Sequence, residues 1–160
     1  MSDALLVLTL ATALGAALVA GAFFAFSTFV MAALGRVPAP EGIRAMQQIN
    51  ITVINPWFMT ALFGSGVACL AVAIATLADW DGGYGPFLVI AAALYLVGSL
   101  GVTMAFNVPR NNALARAEAT SAEAASLWQR YLVEWTAWNT VRTLASLAAT
   151  GALIGGIAAG

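Results

Sequence analysis

The chain has 160 residues, 62% hydrophobic and 8% charged, with a net charge of −1, one cysteine, no histidine and no lysine. A soluble domain carries about 25% charged residues, so this composition excludes an ordinary water-facing surface and points to lipid as the solvent. It also excludes an intramolecular disulfide, a His-ligated metal or haem and a Ser-His-Asp triad, and gives nucleic acid no basic surface to bind.

Four segments are long and apolar enough to span a bilayer, at about 4–34, 56–78, 86–107 and 135–158. Without period-two alternation they predict an all-α fold, a four-transmembrane-helix bundle forming one domain over 1–160. The first segment opens on Asp3 rather than a basic stretch and stays apolar far beyond the about 15 residues of a signal-peptide core, so it reads as a retained span. After it, Pro40-Glu41 begins a helix that continues to about Ile54, with proline in the first turn. Asn55-Pro56 reads as the cap and first residue of span two. The connection from Asp79 to Pro86, with three glycines, is a tight turn. Asn107-Val108-Pro109 marks either the end of span three or part of a site, because the residue before proline is biased away from helix. Thr120-Ser121-Ala122-Glu123 is a capping-box pattern. From it a helix of about 35 residues runs through Trp128, Tyr131 and Trp135 into span four and projects past the membrane face.

The arginines set an expected orientation. Arg36 and Arg44 lie between spans one and two, and Arg110, Arg116 and Arg130 between spans three and four, whereas the opposite side carries Asp3, Asp79 and Asp81. The positive-inside rule then makes this a multi-pass cell-membrane protein with helical cytoplasmic extensions and both termini on the non-cytoplasmic side. Small residues at close-packing spacing, Ala17 with Gly21 and Gly151 with Gly155, hold helices together; a homo-oligomer is compatible with them.

Given that orientation, the polar residues gather at one membrane depth: Ser27 and Thr28 in span one, Asn50 and Asn55 before span two, Asn107, Asn111 and Asn112 after span three, and Asn139 and Arg142 in span four. Capping accounts for Asn55, and an interfacial belt for Trp57 and Trp80. Trp128, Tyr131, Trp135, Trp138 and Arg142 alternate at three and four residues and therefore share one helix face. An aromatic face ending in a guanidinium suits a flat, electron-rich or anionic ligand. Arg142 lies about 10 Å deeper than Trp135 along the helix, and a charge at mid-membrane costs about 2.5–3.5 kcal/mol on insertion scales. The structural alternative has Arg142 snorkelling and bonding to Asn107.

The segments INITVINPWF, MAFNVPRNNAL, WQRYLVEWTAWNTVRT and GAFFAFSTFVMAAL together resemble the anthrone-oxygenase-like membrane family over nearly the whole chain. The Asn-x-Pro-x-Asn and Trp-Asn-x-x-Arg elements are specific as a pair and weak singly. The resemblance implies a four-helix membrane fold and, for some relatives, oxygenation of an anthrone to a quinone without metal or flavin. The chain departs from the family pattern at Thr140, where histidine is frequent.

No carboxylate pair lies within a span, which disfavours a carboxylate-bridged metal and a proton-relay transporter. A cofactor-independent oxygenation is compatible: the substrate, ionised to a carbanion, itself reduces O₂. Arg142 and Asn139 are then expected to stabilise the oxyanion, with Asn107 orienting, Trp135 and Trp138 stacking the rings, and Tyr131, Asn50, Asn55, Asn111 and Ser27 completing the site. Glu134 and Tyr131 are the base candidates. The expected partners are the lipid bilayer and a lipophilic aromatic, with no metal, cofactor or nucleic acid. The alternatives are a non-catalytic binder of a lipophilic aromatic or quinone, and a structural or accessory bundle.

Overall fold

The computed structural model describes residues 1–160 and contains helices only. They are α1 (Asp3–Leu34), α2 (Ala39–Thr52), α3 (Pro56–Ala78), α4 (Gly85–Ala115) and α5 (Ala122–Ala159). All but α2 are long and apolar enough to cross a membrane, so the chain is an all-α, multi-pass membrane protein. The four crossing helices form a closed ring in which α1 packs on α5, α5 on α4, α4 on α3 and α3 back on α1. Outside the ring, Leu14, Leu18, Val67, Ile74 and Leu144 are exposed; in water this would be an untenable surface, and lipid is its natural partner.

Close packing rests on small residues. A Cβ on Gly98 would meet that of Ala145 at 2.5 Å, and one on Gly66 would meet Leu100 at 2.5 Å. Gly155 and Gly156 pack on Phe87 and Leu88, but Gly21 and Gly151 have open space beside them. The Ala17–Gly21 pair therefore faces lipid and joins nothing within the bundle.

The end of the bundle that carries the loop arginines differs from the other. There α1, α3 and α4 each contain a π-helical turn, at Phe26–Val30, Thr60–Gly64 and Thr103–Asn107. A second lies higher on α4, at Leu94–Gly101. Such turns widen a helix locally and recur at functional sites. In α4 the turn ends just ahead of Pro109, whose ring and missing donor disturb a regular ladder. The helix consequently continues through Pro109 to Ala115, and Asn107 is not a helix end.

Asn55 caps α3, its Oδ1 accepting from the Phe58 N–H at 3.0 Å. The α5 cap is Ser121 rather than Thr120: Ser121 Oγ accepts from the Ala124 N–H at 3.0 Å, while the Thr120 hydroxyl turns to Glu118. From there α5 runs unbroken for 38 residues, about 57 Å at 1.5 Å per residue, well beyond a hydrocarbon core of about 30 Å. Its projecting part is a platform for α2. Ile43 and Met46 of α2 are buried against Leu114, Trp128 and Tyr131. Gly42 lies so close to Trp128 and the Leu34 carbonyl that a Cβ there would meet each at 2.8 Å. Gln47 Nε2 donates to the carbonyls of Leu114 and Ala117, at 2.9 and 3.1 Å, and clasps α2 to the end of α4.

Candidate functional site

A cavity of about 390 Å³ opens inside the arginine-bearing half, with walls from all five helices. α1 contributes Phe23 and Phe26, α2 Met46, Ile49 and Asn50, α3 Phe58, Met59, Leu62 and Phe63, α4 Thr103, Met104, Val108 and Asn111, and α5 Trp135, Asn139 and Arg142. The π-helical turns on α1, α3 and α4 each place a wall residue: Phe26, Leu62 and Thr103 respectively.

Arg142 is the charged group of these walls, 5% exposed. Its Nη1 donates to Thr103 Oγ1 at 3.1 Å and its Nη2 to Asn139 Oδ1 at 2.5 Å. The guanidinium carbon lies 4.0 Å from the centre of the Phe23 ring and 5.4 Å from that of Trp135, stacking that suits a planar cation. Its Nε has no partner. No carboxylate reaches it: the one ion pair in the molecule joins Arg110 to Glu134 at 2.8 Å, with both groups partly exposed. Arg142 therefore does not snorkel to Asn107. It is held at the cavity wall by neutral acceptors and ring faces.

Asn139 is the keystone beneath it. While its carbonyl receives Arg142, its Nδ2 donates to the Phe23 carbonyl and to Ser27 Oγ, both at 2.7 Å. The widened turn of α1 begins directly after Phe23–Ala25 and brings Ser27 into that position. Asn111 plays the same part at the other side. Its Oδ1 accepts from the Tyr131 hydroxyl at 2.8 Å and the Trp135 indole N–H at 2.7 Å, which fixes both rings. Trp128, Tyr131 and Trp135 stack in series with interplanar angles of 17°. Asn50 Nδ2 is buried without a partner and belongs to the wall.

The sequence-predicted residues thus divide. Arg142, Asn139, Trp135, Asn50 and Asn111 meet at the cavity, with Ser27 and Tyr131 bonded directly behind it. Trp138 lies at the edge of the aromatic stripe and stacks on Phe106 at 3.6 Å and 8°, away from the cavity. Asn107 donates to the Trp135 carbonyl at 3.1 Å and Asn55 caps α3; neither lines the cavity. Glu134 is held by Arg110, and Thr140 is exposed, donating to the Thr136 carbonyl with the Ser27 hydroxyl 3.1 Å from its oxygen. Sequence reasoning missed Phe23, Thr103 and the α2 face of Met46 and Ile49. The helical spacing of Ile43, Met46, Ile49, Asn50 and Val53 was the available signal for the last.

Apolar walls with one uncancelled guanidinium favour a flat, apolar ligand bearing one anionic oxygen. No curated protein and no solved structure matches the chain. A family model described as Anthrone oxygenase matches residues 57–152, more than half of the chain, from the start of α3 into the last turns of α5. The chain belongs to the anthrone oxygenase family.

Proposed function

We propose that the chain binds a lipophilic aromatic enol or phenol in this cavity, as its oxyanion on Arg142, and acts as a cofactor-independent oxygenase of an anthrone-like substrate. One observation carries the reading: a buried guanidinium that no acidic side chain neutralises. A charge within the membrane is costly and by default functional, and this one awaits an anion. Asn139 and Thr103 hold the guanidinium, Phe23, Phe26 and Trp135 provide ring faces, and the apolar walls exclude water. Holding the oxyanion favours loss of the ring C–H proton, which passes to a water molecule carried in with the substrate and returns to the peroxide anion formed in the next step. The electron-rich ring carbon then transfers an electron to O₂ and recombines with the reduced oxygen. The resulting peroxide loses water across its C–H and O–O bonds, so that CH₂ and O₂ become C=O and H₂O. The loop charges support placing the arginine-bearing end at the cytoplasmic face.

A second reading, a non-catalytic binder of the same ligands, is favoured by one feature: neither Glu134 nor the Tyr131 hydroxyl is a free base facing the cavity. Oxygen uptake separates the two. In nanodiscs with 1,8-dihydroxyanthrone, the oxygenase reading expects one O₂ consumed per anthraquinone formed, at a rate well above that of an Arg142→Leu variant. Saturable binding without uptake would establish the binder, and neither binding nor uptake would leave an accessory bundle.

A further inference from the structure

We propose that the cavity is loaded sideways from the bilayer, through an opening between α3 and α4 bounded by Ile54, Phe63 and Met104, so that its ligand is one dissolved among the acyl chains. This rests on reading the cavity as a binding site. Three observations converge on the opening. Ile54, Phe63 and Met104 line the cavity, yet are 72%, 46% and 58% exposed, unlike the buried wall residues Phe23, Met46 and Leu62. Side chains that belong to both surfaces mark the place where the two surfaces join. All three are apolar, and Phe63 lies seven residues into α3, about 10 Å along the helix from its first residue. The opening therefore reaches acyl-chain depth.

The packing of the two helices gives the cause. Along Ser65–Ala78 and Gly85–Ala93 they are in close contact, and Gly66 admits Leu100 beside it. Beyond that point both contain π-helical turns, Thr60–Gly64 and Thr103–Asn107, which are not packed closely on each other. Tyr95 of α4 still donates to the Leu62 carbonyl at 3.0 Å and marks the inner limit of the gap. The end facing water is closed instead. There α2 lays Met46 and Ile49 over the cavity, with Ile43 and Gly42 seated on the α5 platform and Gln47 clasped to α4. A ligand from water would have to displace this helix. One from lipid meets only apolar side chains.

The five methionines provide the test. Photo-methionine replaces all of them, the protein is placed in phospholipid nanodiscs, and lipid adducts are mapped by peptide mass spectrometry after illumination. Met46 and Met31 are equally hidden, at 1% and 3% exposure, but only Met46 lines the cavity. With a lateral opening, acyl chains occupy the empty cavity, and adducts at Met46 exceed those at Met31 at least tenfold, approaching the exposed Met104. Adducts at Met46 no more frequent than at Met31 would overturn the proposal. A further arm preloads 1,8-dihydroxyanthrone, which should suppress the Met46 adducts several-fold and spare Met104 on its exposed side. Met46 adducts that persist unchanged would leave the opening standing and sink the oxyanion reading of the cavity.

Discussion

Arg142, Asn139 and Asn107 are all buried polar side chains of the same half of the bundle, yet their bonds assign them different parts. Arg142→Lys keeps a cation but loses the planar fork and the stacking on Phe23. A hydrogen bond to a charged group contributes about 1.5–3 kcal/mol, so binding of 1,8-dihydroxyanthrone should weaken about ten- to hundredfold with little change in thermal stability. Unchanged titration by fluorescence quenching would remove Arg142 from the site. Asn139→Leu strands an Arg142 N–H and removes the bonds to the Phe23 carbonyl and Ser27 Oγ, and should cost about 1–3 kcal/mol of fold stability as well as binding. Asn107→Leu is a near-isosteric contrast. Asn107 already has a buried oxygen without a partner, and the carbonyl to which it donates lies within a helical ladder. Its replacement should leave the melting temperature essentially unchanged and binding within about twofold, because unpaired polar groups gain little from being buried. A large loss of binding there would restore the orienting part that the sequence reading gave it.

At the scale of elements, α2 is the piece on which closure of the water-facing end depends. Gly42→Val would force a branched side chain into Trp128 and the Leu34 carbonyl. Overpacking costs about 1–3 kcal/mol, and here the relief available is outward movement of α2. Hydrogen exchange should accelerate across Ala39–Thr52 while α1 and the core of α5 stay protected; unchanged exchange would show that the contact yields elsewhere. The elements themselves were largely legible. Apolar length located the crossing helices, Pro40 the start of α2, and Asn55 its own cap. What escaped had a physical cause. Thr120 and Ser121 are adjacent cap formers, and only tertiary contacts decide between them. Proline bias at 109 pointed to a helix end, but a widened turn absorbed the steric conflict. Trp138 shared a stripe with Trp135, yet the stripe is wide enough for its edge to meet a different helix. The α2 contribution to the cavity was hidden because amphipathic spacing reveals a buried face without revealing what it covers.

For the whole molecule, the asymmetry of the two ends makes orientation testable without disturbing the fold. Cys69 is fully buried and should be silent to an impermeant maleimide on intact cells. Gly82→Cys lies in open space in the 79–84 connection and Arg116→Cys at the arginine-bearing end. The charge distribution predicts labelling of the first on intact cells and of the second only after permeabilisation; the reverse pattern would invert the molecule.

Because no carboxylate of the chain answers Arg142, vacancy and occupancy differ in net charge. A phenol arriving from acyl chains is neutral, and its retention as an anion must release one proton for each molecule captured. By linkage, its apparent affinity should rise about tenfold per pH unit, levelling off where the free phenol ionises by itself. A ligand that is a permanent neutral ketone should show no such slope. The same imbalance discriminates in time: the substrate is gripped through its charge, and once oxidation has turned the gripped oxygen into a quinone carbonyl, the grip lapses and the product is free to dissolve back into lipid.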